Sequence, residues 1–521
     1  MSDNTVPKNH IIIRLSVSDD VGYATNMLEH SASHDGLLIM DPHSDMFPAK
    51  DDKVRWFIEE PVPSQPWRKI VTDTEEQTAM LERLRTADSV TILAGISGNK
   101  SRLRETTLTY LLESLTHPEI IGLAPDKIRI AFQRMPHDRE DKPHIRPDGR
   151  PVHNLETFRL FSERLSRYSA FLFTPPLHSH EAEASLARAY SEERGKNYRV
   201  FDVVDTLVAP VAERREVDID SEDLVILSPD GANKVKVIDT PGGKRLSIPS
   251  AVEFAATVRN GLYPDKPYDL QADMQAQFGE FNRAATSDGP LKFNDPLFDA
   301  LPKIRRGDDK VEIPIVTEEI KAKVRGKRVL LVDDTTDTAG TFLTVAEKLL
   351  EAGARDVDVA VVYPNFSSYK RPLVSKTMEA GDGAKVVFTN AMKRALTERN
   401  ADGHLLISDI YTLRTIRNIL RRQAAILGTN VADNQRFHVA SVANFMLEAV
   451  LHSIDMAENR ELRPHEEMPR YEEETMSETT SRTTRTLTMD NGGVYVTGPK
   501  ANSEIRYIAP QETELRTAPE I

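Results

Sequence analysis

The chain has no cysteine among its 521 residues. That absence removes disulfide scaffolds, thiol nucleophiles and Cys-ligated zinc or iron–sulfur sites. There is also no apolar run approaching the roughly 18 residues that would span a bilayer. The first ten residues are polar and Ile11–Ile13 is followed at once by Arg14, so no signal-peptide core is read there. Positive charge is in deficit: 67 Lys and Arg stand against 81 Asp and Glu, a net of −14. An acidic chain is a poor general binder of nucleic acid, which needs clustered Lys and Arg. The expectation is a soluble, cytoplasmic protein with no membrane and no nucleic-acid partner. At roughly 150 residues per domain, the length suggests three to four domains or two large ones with additions. An apolar fraction of 39% allows one or two cores, with some length outside them.

What is present is an alternation. Short apolar, β-branched runs occur at Ile11–Leu15, Leu37–Met40, Ser89–Ala94, Ile128–Phe132, Ala170–Thr174, Asp223–Leu227, Arg328–Val332, Val357–Val362, Lys385–Thr389 and His404–Ser408. Runs apolar nearly throughout are how strands covered on both faces read. Helix-period stretches lie between them, at Glu76–Arg85, Thr106–Ser114, Leu155–Arg164, Glu181–Arg194, Phe342–Glu351 and Leu413–Gln423. This order predicts an α/β fold with two parallel sheets. Two stretches break it. Residues 240–300 carry Pro241-Gly242-Gly243, Tyr263-Pro264-Asp265 and Asp288-Gly289-Pro290 around one helical segment near Ala251–Arg259, and read as an insertion. From Leu451 onward there are 14 acidic and 8 basic residues, a net of −6, which predicts a disordered extension. Within it, Asp490-Asn491-Gly492-Gly493 before Val494-Tyr495-Val496 signals a hairpin.

The strongest chemical signal is Arg328–Thr341, R-V-L-L-V-D-D-T-T-D-T-A-G-T. A buried strand ends in Asp333 and Asp334. The loop Thr335–Thr341 then brings backbone N–H groups and hydroxyls to the N-terminus of a helix, which is an anion site. Gly340 permits close backbone approach. The loop holds no Lys, so it is not a Walker A loop. The paired carboxylates stand where they could hold vicinal sugar hydroxyls or Mg²⁺. A bare Asp-Asp would be an ordinary helix cap; a phosphate site beside a diol site describes a sugar phosphate.

The run resembles the ribose-phosphate loop of the phosphoribosyltransferase fold, and most closely the D-D-I-I-D-T-A-G-T of the ribose-phosphate diphosphokinase (PRPP synthetase) family. Four further segments resemble that family in chain order. Met135–Lys142 is similar to P-Y-A-R-Q-D-R/K, with Arg139 matching and Glu140 in place of the Gln. Leu177-His178-Ser179 is similar to D-L-H-S/A, with Pro176 in place of the Asp. Asp223–Lys236 is similar to D-L-V-V-V-S-P-D-x-G-A-x-K-R. Lys303-Ile304-Arg305-Arg306 lies where the family has D-K-R-R. Phe47-Pro48 resembles the start of F-P-D-G-E.

The resemblance implies tandem phosphoribosyltransferase-like domains at 10–195 and 196–428, the second carrying the 240–300 insertion, with a largely disordered extension at 429–521. It implies transfer of a diphosphoryl group from Mg-ATP to ribose 5-phosphate, giving PRPP and AMP. Asp333, Asp334, Asp337, Thr338, Ala339, Gly340 and Thr341 would then bind the sugar phosphate. Phe47, Arg139, Glu140 and His178 would bind ATP, with His178 and Asp230 at Mg²⁺. Lys303 and Arg305 would be catalytic, closing over the bridging phosphates. A homo-oligomer, dimer or hexamer, is implied too. Three alternatives stay open: an ADP-ribose diphosphokinase for NAD resynthesis, as in some phage-encoded relatives; a phosphoribosyltransferase that consumes PRPP; and a non-catalytic regulatory subunit of a synthetase.

Overall fold

Strands that are apolar on both faces need cover on both faces, and that requirement organises the molecule. The computed structural model describes residues 9–15, 17–29, 37–42, 58–60, 69–70, 74–96, 101–137, 157–191, 194–215, 223–231, 236–240, 243–278, 291–306, 311–336, 339–365, 369–372, 386–389, 391–415, 436–464, 468–476, 482–488, 494–497 and 506–508. The chain divides into two units. Unit 1 takes 1–201, 414–418 and 441–521, and unit 2 takes 202–413 and 419–440.

Unit 1 is built on β1 (His10–Leu15), β2 (Leu37–Pro42), β3 (Ile58–Glu60), β4 (Lys69–Ile70), β5 (Ser89–Ala94), β6 (Ile128–Phe132), β7 (Phe171–Thr174) and β8 (Asn197–Val200). Their order is β4-β3-β2-β1-β5-β6-β7-β8. From β2 to β8 all pairs are parallel, while β3 and β4 add on antiparallel. Every residue of β1, β5 and β6 is buried. The core joins these strands to Leu108, Leu111, Leu112 and Leu115 of the helix Ser101–Thr116 and to Phe158, Phe161 and Leu165 of the helix Thr157–Tyr168.

Unit 2 repeats the plan. Its strands are β9 (Leu224–Gly231), β10 (Lys236–Thr240), β11 (Gly243–Ser247), β12 (Phe298–Arg306), β13 (Val311–Pro314), β14 (Arg328–Thr336), β15 (Asp356–Pro364), β16 (Tyr369–Pro372), β17 (Val386–Thr389), β18 (Ile410–Leu413) and β19 (Phe437–Ala440). The main sheet runs β13-β12-β9-β14-β15-β18-β19, parallel throughout except for β13. Numbered within each unit, the six parallel strands follow the order 2-1-3-4-5-6 in both. This is the doubly wound arrangement, whose switch point lies between the first and third strands. The expected α/β fold with two parallel sheets is therefore what the chain adopts.

Five expectations change. The stretch 240–300 is more than an insertion: its helix Ser250–Leu262 packs on β9 and β14 and is the crossover that covers the sheet. Alternating Ala and Val on its inner side (Ala251, Val252, Ala255, Ala256, Val258) made the turn-rich surroundings dominate the reading. The strand expected at His404–Ser408 lies instead at Ile410–Leu413. Arg436 explains the shift, because its guanidinium donates to the carbonyls of Leu396, Ile407 and Ser408 and holds the approach to the strand out of the ladder. The helix expected from Leu413 is pre-empted by that strand up to Leu413, and 416–435 lie outside the described residues. The strand at 385–389 forms an antiparallel ribbon with β16, apart from the main sheet.

The fifth change concerns the C-terminus. The helix Ala443–Ala457 (A-N-F-M-L-E-A-V-L-H-S-I-D-M-A) is buried over most of its circumference. It packs on β5, β6 and the helix Asp19–Glu29 of unit 1. An acid-rich window masked a helix apolar nearly all round, which is the mark of a buried one. Its Phe445 stacks on Phe201 at 5.6 Å, and Phe201 on Phe173 at 5.9 Å. Further on, β20 (Arg470–Met476), β21 (Arg482–Thr488), β22 (Val494–Thr497) and β23 (Arg506–Ile508) make an antiparallel sheet. Thr488 pairs with Val494, so the expected hairpin is there. The extension is thus ordered at these segments rather than largely disordered.

Candidate active site

The switch point of unit 2 is where its chemistry-bearing residues collect. β9 and β14 pair from Leu224–Arg328 to Leu227–Leu331 and then stop. Both strands continue, β9 to Gly231 and β14 to Thr336, but each pairs only with its outer neighbour. Asp230 stands three residues past the last shared rung on β9, and Asp334 three past it on β14. A crevice opens there at the carboxyl edge of the sheet, where doubly wound folds bind ligands.

Each wall has a local cause. On β9, Gly231 sits so close to β12 that a Cβ would lie 2.6 Å from the Leu301 carbonyl oxygen. Only glycine allows that approach, and the β12 register shifts between Ala300 and Pro302 to accommodate it. Pro302 then faces Gly231, and Lys303 to Arg306 leave the sheet as a ribbon with β13, Lys303 opposite Pro314 and Arg305 opposite Glu312. On β14, Asp333 is half-buried and its Oδ1 accepts from the Asp334 backbone N–H at 2.9 Å. Asp334 is 7% exposed, and its Oδ2 accepts from the Thr335 hydroxyl at 3.0 Å.

The loop is shorter than Thr335–Thr341. Thr335 and Thr336 are still strand, paired with Tyr363 and Pro364. The left-handed turn into the helix Gly340–Glu351 is made by Ala339, at φ 55°, and not by a glycine. For an L-residue this conformation costs roughly 1–2 kcal/mol. Ala339 provides no side-chain cap to the helix. Among the described residues no side chain caps the first turn of this twelve-residue helix, which begins six residues after Asp334. That combination suits a ligand with an anion at one end and hydroxyls at the other.

The three adjacent strands β12, β9 and β14 carry Lys303 and Arg305, Asp230, and Asp333 and Asp334 respectively, and Ala339, Gly340 and Thr341 follow β14 at the start of the next helix. The side chains of Asp230, Lys303 and Arg305 lie outside the described residues, as do Phe47, Arg139, Glu140, Asp337 and Thr338 entirely. His178 belongs to unit 1. It is half-buried between β7 and the helix His180–Ala189, whose first turn is capped by the Ser179 hydroxyl. Sequence reasoning missed the role of Gly231, because a close approach to Leu301 is a long-range fact. Among the described residues no group of three or more His, Asp or Glu is placed to hold a metal ion. The oxygen donors of Asp333 and Asp334 suit Mg²⁺ in the mode where it shares one or two carboxylates with substrate phosphates.

Comparison with known proteins bears on the same stretch. Residues 291–386 match the family model of the phosphoribosyl transferase domain. A ribose-phosphate pyrophosphokinase of Methanobrevibacter smithii is 29% identical over 114 residues, 19% of this chain and 38% of that protein. One from Gloeobacter violaceus is 36% identical over 77 residues, 15% of this chain and 22% of that protein. Residues 291–386 are thus similar to a phosphoribosyl transferase domain, and the relatives that match parts of the chain are ribose-phosphate pyrophosphokinases. The chain matches less than two fifths of the length of these curated relatives. The family-model match begins just before β12 and runs through β14 to the start of β17, so it contains Lys303, Arg305 and Asp333–Thr341. A crystal structure of phosphoribosylpyrophosphate synthetase from Mycobacterium smegmatis aligns with a TM-score of 0.49 at 14% identity, over 87% of this chain and 100% of that one.

Proposed function

We propose that the chain is a ribose-phosphate diphosphokinase. The observation that carries this reading is the helix that starts at Gly340 just after Asp333 and Asp334, at the carboxyl edge of the sheet where β9 and β14 stop pairing. The helix end receives the 5-phosphate of ribose 5-phosphate. The carboxylates orient the ribose hydroxyls. The C1 oxygen then attacks the β-phosphorus of ATP. A C1–O–P bond forms, the bond from the β-phosphorus to the bridging oxygen breaks, that oxygen leaves on AMP, and the hydroxyl proton is lost. Such a transfer needs chiefly positioning and charge stabilisation. Lys303 and Arg305, on the ribbon that leaves the same sheet edge, supply positive charge to the phosphates in transit. Mg²⁺, when bound with the triphosphate, neutralises part of its charge. In this reading ATP also contacts Phe47, Arg139, Glu140 and His178, and the active form is a homo-oligomer.

Mass spectrometry of products tests the reading. Incubation with Mg-ATP and ribose 5-phosphate should yield AMP and PRPP. AMP with ADP-ribose as the only productive acceptor would move the assignment to that substrate. Pyrophosphate released from PRPP and a base without ATP would make the chain a transferase. No product from any combination would sink an enzymatic role.

A further inference from the structure

At the opposite, N-terminal edge of the unit 1 sheet lies a cavity of about 290 Å³. Asp126, Arg129, Phe171, Lys196, Asn197 and Met456 line it. Arg129, Phe171 and Asn197 are cross-strand partners on β6, β7 and β8, so one row of the sheet supplies all three and they share one face. The same face carries Phe173, whose ring lies 4.6 Å from that of Phe171. Met456 comes from the last turn of the helix Ala443–Ala457, which ends there and leaves the row open.

The charge of this cavity lacks balance. Arg129 is only 7% exposed, yet its one described partner is the Lys127 carbonyl at 3.0 Å. No described carboxylate forms an ion pair with it, and Asp126 acts on it only through space. Lys196 donates to the Ser169 carbonyl at 3.0 Å. Both cations are held below their ordinary pKa range. For Arg129 the cause is burial, opposed by Asp126; for Lys196 it is burial and then Arg194. A buried cation such as Arg129, held by a neutral carbonyl, is costly unless an anion joins it. Phe171 and Met456 form an apolar wall beside that charge.

We infer that this cavity is an anion site distinct from the crevice of unit 2, and that it takes a compact phosphomonoester with a planar or apolar body. The phosphate would meet Arg129, Lys196 and the Asn197 amide, and the body would lie on Phe171 and Met456. The volume, at the low end for ligand pockets, limits the body to about one ring.

The test is calorimetric titration of the full chain with phenyl phosphate, and in parallel with inorganic phosphate. Phenyl phosphate should bind more tightly than inorganic phosphate. Lys196→Glu, at a partly exposed position, should weaken phenyl phosphate about tenfold or more, as loss of a charge-assisted contact does. Arg129→Met should do the same, and Arg129→Lys should restore part of the loss. Melting without ligand reports whether each variant folds; if Arg129→Met does not, Lys196→Glu decides alone. Equal affinity in wild type and Lys196→Glu would overturn the inference, since the anion would then be held elsewhere, as at the helix Gly340–Glu351. No binding at millimolar concentration would overturn it too.

Discussion

The two parallel sheets share a strand order and part company at their switch points. In unit 1, β1 and β5 pair on all six rungs, from His10–Ser89 to Leu15–Ala94, and both strands end there. In unit 2, β9 and β14 pair on four rungs and then run on separately. Two residues past the last rung, β5 gives Ile96, 2% exposed and part of the core, whereas β14 gives the half-buried Asp333. One topology therefore yields a closed seam in one unit and a crevice in the other. Fold alone does not place a site; here the place follows from where a pair of strands stops exchanging hydrogen bonds, and Gly231 and the bulge at Pro302 are what let β9 turn toward β12.

The largest expected effect comes from loosening the support behind the crevice. Arg259 ties the helix Ser250–Leu262 to the segment entering β12 through a 2.7 Å ion pair with Asp295, both nearly buried. Arg259→Met leaves the buried Asp295 carboxylate without its cation and with the Leu297 backbone N–H at 2.7 Å as its described partner, which should cost about 3–5 kcal/mol, read as the drop in urea stability of the unit 2 transition. A change under about 1 kcal/mol would show that the pair is effectively solvated. Next comes the crevice itself. Asp333→Asn with Asp334→Asn should lower AMP formation by about 10²–10³-fold with unchanged secondary structure. The matching change in the closed seam, Ile96→Val, should cost about 0.5–1.5 kcal/mol of stability and leave turnover per folded molecule as it was. If Ile96→Val lowered turnover as far as the Asp pair does, the contrast between the two seams would fail.

Much of this contrast was legible in the sequence, and the rest was not, for identifiable reasons. Ser89–Ala94 and Ile128–Phe132 were read to the residue, because apolar and β-branched residues dominate both, with only Ser89, Thr91 and Arg129 polar. β8 (N-Y-R-V) and β12 (F-D-A-L-P-K-I-R-R) were not read as strands. The first is short and polar, and the second holds a proline that only its bulge accommodates. The carboxylate pair and the loop after it stood out as a motif. The parting of β9 from β14 did not, since register between strands a hundred residues apart is a tertiary property. Nor did the left-handed turn at Ala339, where Gly340 was the residue the sequence offered for backbone freedom.

The smallest expected effect tests whether unit 1 has its own sensitivity, independent of the crevice. His452 lies on the buried helix Ala443–Ala457, 1% exposed. Its Nδ1 accepts from Arg199 Nη1 at 3.1 Å and its Nε2–H donates to the Arg463 carbonyl at 3.2 Å, which is the neutral tautomer. Burial holds its pKa below the ordinary 6.5, with Arg199 adding to that, while the bond to the Arg463 carbonyl, Glu448 and Asp455 oppose it. On acidification the unfolded chain therefore takes up this proton first. Stability from a neutral His452 is complete above pH 6.5 and declines as the pH falls from there toward the folded-state pKa. Urea midpoints of unit 1 measured from pH 7.5 to pH 5 should fall, and His452→Gln, neutral at every pH, should flatten that decline. Parallel profiles for wild type and variant would assign the slope to other groups and leave the helix with only its apolar role.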